Sequence, residues 1–152
     1  MTPRSRRARP SDVAELARRM PFTREIGEPG SNPVFQVGGR SFVYFRNRRP
    51  DAVGPDGTRL TDVVVLWVAS EADKQSLVQD EDSPFFTTPH FEGHPSVLLR
   101  LADVGRLSLA ELTEVVQDAW LSRASARRAR GWLAGQGLDR PRPARRSGRQ
   151  DP

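Results

Sequence analysis

Two short apolar runs, VFQV (34–37) and SFVYF (41–45), are separated only by Gly38-Gly39-Arg40. This constrains the chain more than any other feature. Glycine takes positive φ without steric cost, so a short glycine-containing connection closes two such runs into an antiparallel β-hairpin. DVVVLWV (62–68) adds a β-branched run that calls for burial on one or both faces. FFTT (85–88) and SVLLRL (96–101) read as two further strands, which makes five.

The helices are announced by their caps. Ser11 or Asp12 can start a first helix, with Glu15 completing a box to Asp12 and with Val13, Leu16, Ala17 and Met20 on one face. Pro21 stops it. Gly27, Pro29, Gly30 and Pro33 make 23–33 a loop, with room for one short extended segment. NRRPDAVGPDGTRLT (47–61), with two prolines, two glycines and mixed charge, reads as a long exposed connection. Ser70 and Asp73 box a short polar helix that ends near Asp80. Ser108 and Glu111 cap a longer one striped by Leu109, Leu112, Val116, Ala119 and Trp120. A break is expected near 122–125, followed by helix-compatible residues 126–134 that Gly135 and Gly137 punctuate. The order α-β3-α-β2-α is an α+β pattern, two layers with helices on one face of an antiparallel five-stranded sheet.

At 152 residues and 36% hydrophobic, the chain can bury one core. It has no cysteine, so neither a disulfide framework nor a thiolate metal site is available, which fits a reducing cytoplasm. MTPRSRRARP is charged, but the segment after it is amphipathic and lacks the apolar core of a secretion signal. The longest uncharged apolar run, 63–69, is far below the roughly 20 residues that span a bilayer. The expectation is a soluble cytoplasmic protein with no membrane partner.

Charge is segregated along the chain. Residues 1–10 hold four Arg and no acid, giving +4. Residues 123–152 hold nine Arg against Asp139 and Asp151, giving +7, whereas 11–122 hold ten Arg and Lys74 against seventeen carboxylates, giving −6. Polyanions follow local charge, so they are drawn first to the ends. The expected organisation is a basic disordered tail over 1–10, a folded domain over 11–134, and a basic Pro/Arg-rich disordered tail over 135–152.

The chain's two histidines, His90 and His94, flank Glu92 in TTPHFEGHP (87–95). The order is not the H-E-x-x-H of zincins, and Pro89, Gly93 and Pro95 disfavour a helix, so the segment reads as a loop with no metal site. His90, Phe91 and His94 can still line a small pocket with Phe86 and Trp67, and no cofactor is called for. Arg123, Arg127 and Arg130 fall at i, i+4 and i+7, aligned along one helical face with Arg128 beside it and Trp132 pointing away. Arg46, Arg48 and Arg49 stand where a hairpin strand enters the long connection and could touch phosphates, although Asp51, Asp56 and Asp62 share that segment.

FQVGGRSFVYF, DVVVLWV followed by SEADKQSLVQD, and FFTTPHFEGHPSVLLRL leading into ELTEVVQDAWLSRA together resemble the MmcQ/YjbR family of small bacterial proteins, over roughly residues 11–134. The resemblance implies a secretion-chaperone-like or CyaY-like α+β layer with a five-stranded antiparallel sheet, and members of that family are commonly described as DNA-binding. The family's basic Pro-Lys-Arg segment falls on Ser125, Ala126 and Arg127, where only Arg127 matches. The expected role is a non-enzymatic binding module that holds nucleic acid without sequence specificity, through Arg123, Arg127, Arg128, Arg130 and the tails. A protein-interaction or chaperone-like module is the alternative, and a small hydrolase at His90, Glu92 and His94 a third.

Overall fold

The computed structural model describes residues 5–27, 32–45 and 62–136. Five strands form one antiparallel meander in the order β1-β2-β3-β4-β5: Thr23–Ile26, Val34–Val37, Arg40–Phe45, Val63–Trp67 and Ser96–Arg100. The hairpin read from the sequence joins β2 to β3, and Gly38 and Gly39 both take positive φ, 58° and 78°. Its register shifts by one residue between Phe35 and Gln36. This bulge explains why the neighbours Phe42 and Val43 are both buried in one core although side chains alternate along a strand.

The strand allocation differs from the sequence reading in two places. TREI (23–26) is a strand, β1, although only Thr23 is even half-buried; it lies at the sheet edge and had no buried face to imprint a pattern. FFTT is not a strand: only Phe86 makes a bridge, to Leu98. Five strands therefore divide four and one around the second helix.

Among the described residues four α-helices join the sheet: α1 (Pro10–Arg19), α2 (Glu71–Val78), α3 (Leu109–Arg123) and α4 (Ala126–Gln136). α1 and α3 pack against each other, and α3 covers β3 and β4. The main core lies there, with Val13, Ala17, Phe35, Phe42, Val64, Leu66, Leu112, Val116 and Trp120 all buried. Alternate residues Val63, Val65 and Leu98 face the other side, where Phe91 and Phe86 cover them. Both faces of the central strands are thus closed, one by helices and one by the segment that contains TTPHFEGHP.

Two helix starts agree with the sequence reading and one does not. Ser70 Oγ accepts from the Asp73 amide, and Ser108 Oγ accepts from the Glu111 amide at 3.0 Å while Glu111 accepts from the Ser108 amide at 2.8 Å. α1 begins earlier than expected, at Pro10, whose fixed φ suits a first helical position. Asp12 is therefore not the cap; it sits in the first turn and accepts from the Arg9 amide at 2.7 Å.

Residues 5–9, assigned from sequence to a disordered tail, are instead part of the fold. Ala8 is buried and donates to the Leu107 carbonyl, Arg7 bridges Ser108, and Leu109 donates to the Arg6 carbonyl. Arg6 grips Asp12 with two bonds of 2.9 Å, and that guanidinium holds the Asp12 carboxyl below the usual carboxylate range. Charge density alone suggested a free tail; the buried carboxylate of Asp12 supplies the partner. The expected long connection (47–61) and the tail beyond residue 136 lie outside the described residues.

Candidate nucleic-acid interface

The aligned stripe of arginines does not form. α3 ends at Arg123, and Ala124 turns extended with φ −68° and ψ 153° before Ser125 caps α4 by accepting from the Arg128 amide. Arg123 therefore belongs to a different helix from Arg127 and Arg130. Its Nε donates to the Ser41 carbonyl at 3.0 Å, and its guanidinium lies 5.1 Å from the Trp67 ring centroid. Burial, with Arg40 nearby, lowers its pKa, but a guanidinium stays charged throughout the physiological range. Arg123 is a clamp between helix and sheet, not a surface phosphate contact.

α4 carries what remains. Its sequence ARRARGWLAGQ holds three arginines and no acid, with Arg127 and Arg130 exposed and Arg128 half-buried. The helix is anchored by Trp132, which meets buried Trp120 with ring centroids 5.9 Å apart. Trp120 in turn donates from Nε1 to the Pro21 carbonyl at 3.0 Å, fixing the turn after α1. On that turn Phe22 stands exposed, and the Arg128 guanidinium lies 4.4 Å from its ring centroid. Pro21, Phe22, Ser125, Arg127, Arg128, Gly131 and Trp132 enclose a groove of about 670 Å³. Sequence reasoning named Arg127 and Arg128 but missed Phe22; the Pro21-Phe22 pair after a helix was its only signal.

A cleft between α2 and α3 is acidic. Asp118 and Glu114 of α3 share a small cleft with Asp73 of α2. Burial, then the charges of Glu114 and Asp73, raise the Asp118 carboxyl above its ordinary value. The α2–α3 cleft is thus negative, whereas α4 carries arginines and no acid.

TTPHFEGHP folds as a turn, as its prolines and glycine require: Pro89–Phe91 is a single 3-10 turn and Gly93 has φ 80°. His94 Nδ1 lies 2.7 Å from Ser96 Oγ, and its ring meets Trp67 and Phe91 edge-on at 5.1 and 5.4 Å. The side chain of His90 lies outside the described residues, as do Arg46, Arg48 and Arg49. Phe91 is buried in the second core instead of lining an open pocket. Among the described residues no three His, Cys, Asp or Glu side chains are grouped to hold a metal ion.

Sequence reading also missed what holds this turn. Lys74, the single lysine of the chain, is 1% exposed and donates from Nζ to the carbonyls of Phe91 and His94 at 2.6 and 2.7 Å. Burial lowers its pKa against the raising effect of Glu71 and Glu92. One lysine in a chain otherwise wholly arginine-based was the available sign.

A family model described as YjbR matches residues 13–122. An uncharacterized protein of Mycobacterium tuberculosis (strain ATCC 25618 / H37Rv) is 40% identical over 76 residues, 50% of this chain and 57% of the relative. An uncharacterized protein of Mycobacterium bovis matches to the same extent. The chain thus spans 57% of the length of the curated relatives it matches. No solved structure gives a significant match. No helix among the described residues is long and apolar enough to cross a membrane.

Proposed function

This chain belongs to the YjbR family, and on that premise we propose that it is a non-enzymatic binding module that holds the backbone of nucleic acid with the arginines of α4. The observation that carries the reading is α4 itself, a helix with Arg127, Arg128 and Arg130 and no carboxylate, anchored through Trp132 and Trp120 to the core. A fixed cluster of guanidinia neutralises phosphates and releases their counterions, and it does so whatever the base sequence. The acidic α2–α3 cleft steers a polyanion away from the rest of the helical layer. Of the four Arg before residue 10, Arg6 is paired with Asp12; the other three and the five between 140 and 149 extend the same attraction along the sequence.

Binding of the intact chain to two duplexes of unrelated sequence tests the reading. Replacing Arg127, Arg128 and Arg130 together by alanine should weaken both by the same factor. Equal affinity of variant and wild type would remove α4 from the interface, and no binding of the wild type at low salt would refute the function.

A further inference from the structure

Phe22 takes positive φ, 59°, alone among the described non-glycine residues. A bulky side chain enters that region only against steric strain, and such strain persists where the surroundings enforce it. Phe22 is also the most exposed large hydrophobic side chain described, at 66%. A turn serving packing alone would place glycine at this φ and bury an aromatic ring. This turn does neither, and the bond from buried Trp120 to the Pro21 carbonyl fixes it from beneath. The ring is presented outward, with the Arg128 guanidinium 4.4 Å from its centroid and a groove of about 670 Å³ beside it. Gly131 lines that groove and faces open space, since a Cβ there would find nothing within 4 Å.

We infer that this groove receives an unpaired base of single-stranded nucleic acid, stacked on Phe22, while Arg127 and Arg128 neutralise the phosphates on either side of it. The inference rests on the backbone-binding reading above and narrows it to single strands. A duplex keeps its bases stacked on one another and offers α4 only phosphate. A single strand offers both charge and free π faces, the two things that an aromatic platform within a cationic groove binds. Two guanidinia on the rim and the absence of acid from α4 favour such a polyanion over an apolar protein segment. Stacking engages the π face that every base has, so it is expected to be tolerant of base identity, with Ser125, Arg127, Arg128 and the Trp132 indole the groove residues able to hydrogen-bond.

Fluorescence anisotropy of the full chain, with a labelled oligothymidine and with a duplex of the same length at one ionic strength, is the test. Because every arginine attracts both ligands, the ratio of the two affinities reports on the groove. The single strand should bind more tightly. Phe22→Gly takes the turn's φ freely and so preserves the fold; it should lower single-strand affinity roughly tenfold or more, within the range for loss of one stacked base, and lower duplex affinity far less, because Arg128 loses a ring contact and keeps its charge. Phe22→Trp should retain single-strand binding. Gly131→Leu, which projects an apolar side chain into the groove without altering charge or ring, should produce a selective loss of single-strand binding like that of Phe22→Gly. Equal affinity for both ligands, unaffected by Phe22→Gly and Gly131→Leu, would overturn the inference and leave backbone binding standing. Binding of neither ligand would overturn both. A dimer that Phe22→Gly dissolves with oligonucleotide affinity unchanged would assign the ring to a second copy of the chain, and the inference would fail.

Discussion

Lys74→Met removes the ammonium that ties α2 to the turn over 91–94 while keeping a straight side chain of similar length. Two charge-assisted bonds are lost, at 2.6 and 2.7 Å, each worth about 1.5–3 kcal/mol. Neither carbonyl is stranded, because Phe91 still accepts from the His94 amide and His94 from the Ser96 amide. The variant also escapes the cost of burying an ammonium, which the lowered pKa of Lys74 reports. The difference leaves a net destabilisation of about 1–2 kcal/mol at neutral pH. Below the lowered folded pKa, both folded and unfolded chains hold the proton and the gap is constant. Between that pKa and the ordinary 10.5, the unfolded chain binds more protons than the folded one, so wild type gains on the variant as pH rises. Urea unfolding followed by tryptophan fluorescence, at neutral pH and at roughly pH 10, measures both effects. A variant as stable as wild type at neutral pH, or a gap that narrows on alkalinisation, would refute the role given to this lysine.

Ser108→Ala should cost about 1 kcal/mol, since it removes one half of a reciprocal cap on α3; unchanged thermal unfolding would count against the cap. Asp12→Asn should destabilise the fold at neutral pH, because Asp12 is depressed in the folded state and stabilises only while ionised. That contribution is present above its ordinary 3.8 and is lost as pH falls through the lower folded value, so the difference from wild type should close in strong acid during a pH-dependent urea series. Asp118→Asn should do the opposite. The folded pKa of Asp118 is raised above 3.8, so its charge is unfavourable at neutral pH, and the variant should be more stable there, with the gain disappearing as pH falls toward 3.8. A variant no more stable than wild type at neutral pH would show that the cleft is better hydrated than its burial implies.

Features written locally in the sequence were legible. The Gly38-Gly39 turn, the Ser70 and Ser108 caps and the break before α4 each depend on residues within four positions of one another. β1 was legible only as a short extended segment within a loop, because an edge strand with exposed side chains carries no alternation. FFTT misled because Phe85 enters the main core while Phe86 packs on the opposite one, a split that mimics alternation without forming a ladder. At the site, helical spacing put Arg123 with Arg127 and Arg130, but one extended residue, Ala124, redirects the chain and sends Arg123 to Ser41, 82 residues away. The same distance problem hid the Lys74 bonds, made 17 and 20 positions along the chain, and the pairing of Phe22 with Arg128. Periodicity describes one element; these contacts join several.

The salt dependence of duplex binding tests the central claim most directly. If α4 holds phosphate, the logarithm of the association constant should fall linearly with the logarithm of salt concentration, with a slope of about −0.9 for each phosphate neutralised. The Arg127→Ala, Arg128→Ala, Arg130→Ala variant should then give a shallower slope, by up to about 2.7 if all three arginines contact phosphate. A slope near zero for the wild type, or a wild-type slope that the triple variant reproduces, would contradict the account.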